Sequence, residues 1–474
     1  MIGPNADNWW TLVANYYGRP TQPVTALEGI KAKVGEENVT YALGSTIAGD
    51  IYSDYEPVPA SVLFHEDENA DLVSGVQAAY YEDKFISGEP LLEQVEKNID
   101  FYWERTPGTD GLNDEFGAVW EGVIVPEEDG VYRFQPSRWS KVEIAGREVG
   151  ETDDVEMKAG ERYPFTMTLN FDSGWPRDQL DKYAYLNWTS VSRDLEAEAL
   201  AAAEDADVIL YFGGIDANLE GEEMGVELDG FLGGDRTHLK LPAPQEALVK
   251  KLHATGKPVV MVNFSGSAMA LNWEDENLPA IVQAFYPGEK AGEAIADLLW
   301  GEYSPSGRLP VTFYKSVDDL PGFLDYSMEN RTYKYFGGEP LYAFGHGLSY
   351  TEFSYSDVGV ADDYVPGEDL TVSVDVTNSG ERAGREVVQV YLTRTDRPNR
   401  SVPKVELVGF DVVDLQPGET ATVNLIVPAS QVGYHDEDGD LTFPESGSFT
   451  VSAGGGQPGF AENVSSAEVT VAGE

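Results

Sequence analysis

The sequence predicts an α/β domain that is interrupted by an all-β insertion and followed by an all-β sandwich. Three observations predict it. Residues from about 192 to 315 alternate apolar strand-like runs with amphipathic helical ones, which indicates a parallel sheet covered by helices. Residues from about 73 to 190 alternate apolar and polar with period two and carry Gly, Pro and Asp turns. From about 352 the period of two returns, in short runs separated by turns, which is a sandwich pattern.

Taken in order, residues 1–72 are expected to form the first part of the α/β domain, 73–190 the insertion, 191–351 the second part and 352–474 the sandwich. The chain opens with Met1-Ile2-Gly3-Pro4-Asn5-Ala6-Asp7, which reads as a strand end and a turn. A domain that starts mid-strand suggests a chain cut from something longer. In the insertion, residues 119–125, 130–134, 163–169 and 183–188 read as strands. An Ala/Glu-rich helix over 193–206 leads to the apolar run 207–212. Residues 244–255 are amphipathic, with Ala247, Leu248 and Leu252 at helical spacing, and 258–262 is a buried strand. Another strand spans 280–285 and a helix 291–300. In the sandwich, 370–376, 387–392, 421–427 and 448–453 are strands, with Gln416-Pro417-Gly418-Glu419 as one of the turns.

The composition narrows the function classes. At 474 residues the chain has room for about three domains of roughly 150 residues. With 42% hydrophobic residues it can bury real cores. Its 83 acidic and 31 basic side chains give a net charge of -52, which repels nucleic acid and anionic membranes, so neither is an expected partner. The charge is dispersed, and self-repulsion on this scale calls for screening by salt; a salt-adapted surface is the reading. There is no cysteine, which excludes disulfides, thiolate nucleophiles and Cys-ligated zinc. No apolar stretch reaches the roughly 18 residues that span a bilayer. No signal peptide is evident, and cytoplasmic and secreted locations both stay open.

The segment with the most chemistry is Asn218-Leu219-Glu220-Gly221-Glu222-Glu223-Met224, followed by Gly233-Gly234-Asp235-Arg236-Thr237. Three carboxylates within four residues leave the end of a strand, where open α/β sheets bind ligands. A charge run of this kind is also what a solvated acidic loop looks like. Ser265-Gly266-Ser267 leaves another strand end, but it lacks the Gly-x-Ser-x-Gly pattern and a placed histidine. Gly213-Gly214 lacks the Lys-Ser/Thr of a phosphate loop. His65, His238, His253 and His435 show no metal-ligand spacing, and His346 reads as a packing or hydrogen-bonding residue. No metal or cofactor site is expected. Trp9, Trp10, Trp103 and Trp139 could stack on sugar rings or belong to cores.

Almost the whole chain resembles the portion of a family 3 glycoside hydrolase that follows its barrel. The resemblance rests on Ile2-Gly3-Pro4-Asn5-Ala6-Asp7, Asn15-Tyr16-Tyr17-Gly18, residues 23–30, Tyr286-Pro287-Gly288-Glu289 with Gly292, and residues 305–310. Arg331-Thr332-Tyr333-Lys334-Tyr335-Phe336 and residues 342–350 extend it. Leu219 to Met224 with Gly234-Asp235-Arg236 looks closest to the xylosidase-like branch. The insertion is similar to PA14 modules through residues 75–81, 99–103 and 116–122. It has Pro136-Ser137-Arg138-Trp139-Ser140 where such modules carry Asp-Asp-Gly. The C-terminal part resembles a fibronectin III-like domain through Asn378-Ser379-Gly380, Gly384, residues 386–391 and 407–410.

The resemblance implies part of a retaining, exo-acting β-glycosidase of the β-xylosidase or β-glucosidase type, acting on oligosaccharides or β-glycosides. It implies Glu222 as the acid/base, with Glu220 and Glu223 as alternatives. Asp235 and Arg236 are expected to pair with each other and close the loop, or to touch substrate. The family's nucleophile is an Asp in a Ser-Asp-Trp context on the barrel, and that string is absent; Ser53-Asp54-Tyr55 is the nearest. A separate barrel polypeptide is therefore an expected partner, and the isolated chain is expected to be inactive. A non-catalytic carbohydrate-binding or adhesion protein, and an inactive gene remnant, remain as alternatives.

Overall fold

The computed structural model describes all residues except 16, 17, 19, 104–114, 173–181, 362, 395, 396, 398, 399, 437 and 472–474. The chain divides into two compact units. One comprises residues 1–42, 47–49 and 202–474, the other residues 43–46 and 50–201.

The first unit contains the α/β part. Helix α1 (Ala26–Val34) starts at a Thr-x-x-Glu signature. Thr25 Oγ1 accepts from the Glu28 N–H and the Glu28 carboxylate accepts from the Thr25 N–H, which satisfies two orphan amides. The central sheet is parallel, β1 (Ile209–Gly214), β2 (Val259–Phe264) and β3 (Ala280–Gln283), with β2 in the middle. β1 and β2 are joined through α2 (Ala243–Ala254), and β3 leads to α3 (Ala291–Leu299). Ile2 extends the sheet on the β1 side by parallel bridges to Tyr211 and Ala42. The start of the chain is thus built into the sheet.

Helices α1 and α3 pack through a glycine pair. A Cβ on Gly29 would lie 2.1 Å from the Gly292 carbonyl carbon, and one on Gly292 would lie 2.0 Å from the Thr25 oxygen. Glu289 draws the preceding segment in. Its carboxylate accepts from the Thr21 and Gln22 N–H groups and the Thr21 hydroxyl. Gly292→Ala is expected to cost at least about 3 kcal/mol, because backbone cannot yield to the added methyl. A urea midpoint within error of the wild type would refute this packing account.

The C-terminal part of the same unit is a two-sheet sandwich. β4 (Leu370–Asn378) and β7 (Thr420–Val427) pair in one sheet, with Phe353–Tyr355 beside β4. β5 (Gly384–Arg394), β6 (Val405–Leu415), β8 (Ser448–Gly454) and β9 (Val464–Val471) form the other with the short strand Asp363–Tyr364. Their inward residues form one core, including Val372, Val374, Val390, Leu392, Val423 and Val451. Strands β6 and β9 were not separate expectations from the sequence.

The α/β part and the sandwich are joined by buried polar contacts. Arg308 donates from Nη2 to Glu386 Oε2 at 2.6 Å and from Nε to the Gly455 carbonyl at 3.2 Å. Tyr355 donates to Glu386 Oε1 at 2.6 Å. Gln389 donates to the carbonyls of Gly345 and Gly455 and accepts from the Tyr391 hydroxyl. Asn378 accepts from Thr351 Oγ1 and donates to the Arg382 and Leu415 carbonyls.

The second unit is β-rich. One sheet contains Lys182–Ser190, Gly130–Pro136, Val155–Met157, Glu56–Pro57 and Asp100–Trp103. The other is centred on Phe116–Ile124 and Tyr163–Phe171, with their nine-residue antiparallel register running from Tyr163↔Ile124 to Phe171↔Phe116. A single core draws Phe134, Leu186 and Trp188 from the first sheet and Trp120, Met167 and Leu169 from the second. Its sequence limits differ from the expected start at 73. Strand Leu63–Glu66 pairs with Phe116–Ile124 through Leu63↔Ile124, so its backbone groups are satisfied inside this unit. Asp54, in the nearest string to a nucleophile motif, accepts from Thr189 Oγ1 and Arg193 Nη1 within the same unit.

Candidate active site

The carboxyl ends of all three parallel strands converge on one side chain, Glu220. Beyond β1, Asp216 opens a turn in which its carbonyl accepts from the N–H groups of Leu219 (3.1 Å) and Glu220 (3.3 Å). Beyond β2, the Gly266 N–H donates to Glu220 Oε1 at 2.8 Å and the Ser267 hydroxyl to Oε2 at 2.5 Å. Beyond β3, the Tyr286 hydroxyl donates to Oε1 at 3.4 Å. Arg236 Nη1 lies 3.9 Å from Oε2, and the Glu220 and Arg236 side chains are 15% and 9% exposed. Asn15 Nδ2 donates to the Glu220 carbonyl at 2.8 Å. Burial and the Glu220 charge push the Tyr286 hydroxyl far up, so it stays a donor. Burial pushes the Arg236 guanidinium down, and Glu220 opposes that.

Glu222 and Glu223 are exposed, on the turn that follows, and Glu223 has a left-handed backbone (φ 50°). The turn is pinned to the hairpin behind it. Gly221 N–H donates to the Gly234 carbonyl and Met224 N–H to the Gly233 carbonyl. That hairpin has three short antiparallel strands, Glu227–Leu228, Phe231–Leu232 and Asp235–Arg236.

Asp235 and Arg236, expected to pair, face apart. Neighbours on a strand point to opposite faces. Asp235 is exposed, while Arg236 turns inward to Glu220, Ser267 Oγ (3.4 Å) and the Phe231 ring (5.2 Å). His346 is partly buried and stacks on Tyr342 with ring centroids 5.2 Å apart; burial and Arg308 push its imidazole down, so it is neutral near pH 7. Ser265 is buried and accepts from Gln283 Nε2 at 3.0 Å. Trp9 and Trp10 lie against each other with centroids 4.3 Å apart. The side chain of Trp103, and Tyr16 and Tyr17, lie outside the described residues.

Two supporting residues escaped the sequence reading. Asp216 is buried, and burial pushes its carboxyl up. Its Oδ2 accepts from Asn8 Nδ2 at 2.9 Å and its Oδ1 from the Asn218 N–H at 2.9 Å. Gln245 is fully buried at the start of α2. It donates to the Gly214 and Ile47 carbonyls at 2.6 Å each and accepts from the Gly214 N–H at 2.8 Å. Gly214 has φ 111°, and a Cβ there would lie 2.0 Å from the Phe264 oxygen, so β1 can end in this way only at glycine. The signal for Gln245 was present: Gln245, Leu248, Val249 and Leu252 share one buried helical face. Gln245→Leu strands three backbone groups, and a loss of about 3 kcal/mol is expected. Unfolding by denaturant checks it, and a loss below about 1 kcal/mol would count against the assigned role.

The fold and this strand-end carboxylate loop can be set beside known proteins. The chain belongs to glycosyl hydrolase family 3. Residues 1–350 match the family's C-terminal domain, and residues 386–457 match a fibronectin type III-like domain. A xylan 1,4-beta-xylosidase of Xylanibacter ruminicola is 32% identical over 472 residues, covering 96% of this chain and 52% of that protein. A periplasmic beta-glucosidase of Salmonella typhimurium is 35% identical over 270 residues, covering 54% of this chain and 34% of that protein. The crystal structure of a beta-glucosidase from Kluyveromyces marxianus in complex with glucose superposes with a TM-score of 0.73 at 26% identity. It covers 99% of this chain and 58% of that one. The chain thus spans about half the length of the curated relatives it matches over nearly its whole extent.

Proposed function

We propose that this chain supplies the general acid/base of a retaining, exo-acting β-glycosidase of the β-xylosidase or β-glucosidase type. Its substrates would be oligosaccharides or β-glycosides, cleaved at a terminal sugar. The observation that carries the reading is the convergence of three strand ends on Glu220. It also moves the choice within the loop from Glu222 to Glu220. A general acid works only when it is held toward the leaving oxygen. Glu220 is held from two sides and keeps some exposure, whereas Glu222 and Glu223 lie on the exposed turn. Ser267 can donate to the carboxylate or accept from the carboxylic acid, so the pair survives both halves of the cycle.

In such a cycle Glu220 protonates the leaving glycosidic oxygen as a second carboxylate attacks the anomeric carbon. Glu220, now ionised, then takes a proton from the water that releases the sugar. The second carboxyl must stand about 5–5.5 Å away. Asp216 is engaged by Asn8 and Asn218 and is buried, so it does not serve. We assign the nucleophile to a separate barrel portion, the β-rich unit (residues 50–201) to a PA14-like module, the α/β residues on either side of it up to 351 to the family's C-terminal domain, and 352–474 to its fibronectin III-like domain. The test is hydrolysis of xylo- and gluco-oligosaccharides by the chain assembled with such a portion. Loss on Glu220→Gln with retention on Glu222→Gln supports the reading, and the reverse pattern defeats it.

A second reading, a glycan-binding module, is favoured by one observation. Trp139 is 39% exposed with φ 68°, and Arg138 lies 4.9 Å from its ring. Oligosaccharide binding that needs Trp139 but not Glu220 would favour it. The net charge of -52 supports a salt-adapted surface. Thermal stability is then expected to rise with potassium chloride up to molar concentrations, and a flat profile would remove that reading.

A further inference from the structure

We infer that a cleft at one end of the sandwich is a binding site for a neutral mono- or disaccharide. The cleft has a volume of about 380 Å³. It lies where β5 ends, β8 begins and β9 ends, with residues 432–446 along it. Arg394 stands opposite Phe449 across β5 and β8, and Ser448 opposite Thr470 across β8 and β9. The cleft shares no residue with the Glu220 loop.

Its walls are fixed by a buried guanidinium and a closed hairpin. The Arg394 side chain is 8% exposed, and its Nη1 lies 3.5 Å from Glu406 Oε2, which matches its charge. Arg394 Nη2 donates to the carbonyls of Gln431 (3.0 Å), Val432 (3.2 Å) and Gly433 (3.3 Å). One side chain of β5 thus ties down the start of the segment that borders the cleft. Further on, Tyr434–His435 pairs antiparallel with Leu441–Thr442. The Asp436 carboxylate accepts from the N–H groups of Asp438 (3.0 Å) and Asp440 (2.9 Å) inside that hairpin. A cleft held in this way exists before a ligand arrives, so binding orders little of the chain.

The lining selects the ligand. Leu392, Val432 and Phe449 are buried and give an apolar surface. Tyr434, Glu445 and Ser446 also line the cleft, and their side chains have no partner among the described residues. A wholly apolar ligand would strip water from these groups and return no hydrogen bond. An anion would meet the field of a net charge of -52. A metal cation needs several oxygen ligands, and no group of three His, Asp or Glu is placed for one among the described residues. What suits the lining is a neutral molecule with a C–H face and several hydroxyls, which describes a pyranose. Clefts that hold small molecules measure about 300–1,000 Å³. This one is at the small end, which favours one or two sugar rings over a long chain. The choice of xylose and glucose units rests on the proposed function; the site itself does not.

The experiment measures hydrogen exchange and melting temperature of the whole chain with xylobiose or cellobiose. New amide protection at 431–446, half-developed at about 1–10 mM, is expected with at least one of them. Ser446→Trp places a large ring at an exposed position of the lining and should weaken binding tenfold or more. Tyr434→Phe keeps the ring and loses the hydroxyl, and should weaken it about threefold to tenfold. An unchanged melting temperature without sugar would show that each variant folds. Absence of protection with both disaccharides overturns the inference, as does unchanged affinity in Ser446→Trp. Equal protection by glycerol or by glucuronate at the same concentration also overturns it, by showing that the cleft takes any polyol or an anion. Glu220→Gln separates this site from the acid/base reading. Protection at 431–446 with hydrolysis unaffected by that substitution in the assembled enzyme keeps the site and removes the acid/base; lost hydrolysis without protection does the reverse.

Discussion

Arg308→Met is expected to destabilise the protein by about 3–5 kcal/mol, because it leaves a buried carboxylate without its counter-charge. Glu386 is 0% exposed and Arg308 10%, so solvent screens this pair little. Burial pushes the Glu386 carboxyl up, and Arg308 and the Tyr355 hydroxyl pull against that push. Removing Arg308 lets it rise further. A carboxyl raised in the folded state is tolerated protonated, so its contribution is present at low pH and lost as pH rises through the folded value. The Arg308→Met defect should therefore be smaller at about pH 5 than at about pH 8. Adding Glu386→Leu to the variant should recover most of the loss, because replacing both partners of a buried pair is far cheaper than removing one. Urea unfolding of the two variants at both pH values decides the matter. A loss below about 1 kcal/mol in the single variant would mean that the pair is not the join between the α/β part and the sandwich.

The second large effect is catalytic. In the assembled enzyme, Glu220→Gln should lower hydrolysis of an unactivated xyloside or glucoside by roughly 10²–10⁴-fold. A substrate whose leaving group departs as a stable phenolate needs no proton, so the first step on it should suffer far less. Glutamine keeps the size of the side chain and can still accept from the Gly266 N–H, so the loss would not be one of folding. Arg236 and Ser267 touch the same carboxyl, and Ser267→Ala should lower kcat by loosening the hold on it. If Glu222→Gln were the variant with the large, leaving-group-dependent loss, Glu220 would be an anchor and Glu222 the acid.

Much of the fold was legible because it follows from short-range pattern. The strand at 370–376 and the helix at 291–300 are observed as Leu370–Asn378 and Ala291–Leu299. The strand expected at 207–212 begins two residues later, since Asp207 and Val208 precede the pairing of Ile209 with Val259. The carboxylate loop was legible as a place but not as a geometry. Which glutamate is held depends on Gly266, Ser267 and Tyr286, each brought in by a different strand. The Arg236 partner was misread for the same reason. Adjacency in sequence suggested Asp235, whereas the strand turns the two side chains apart. Several motifs that carried the family resemblance prove to be joints. Gly29 with Gly292 is a helix contact, and Arg308, Asn378 and Gln389 tie two layers together. Such roles rest on partners far along the chain, which periodicity cannot report.

The contact between α1 and α3 also bears on how the chain assembles as it is synthesised. Synthesis makes residues in chain order, yet Ala26–Val34 and Ile2 have no seat until Ile209–Gly214 and Ala291–Leu299 exist. The β-rich core, by contrast, is complete once Trp188 has been made. On the ribosome the segment in the middle can therefore fold first, while the opening residues wait in an unfinished state. Long-range closure of this kind is slow and leaves apolar surface open meanwhile. Those opening residues, 1–42, carry four acidic and three basic side chains, so charge repulsion shields them little while they wait, unlike the strongly acidic remainder of the chain.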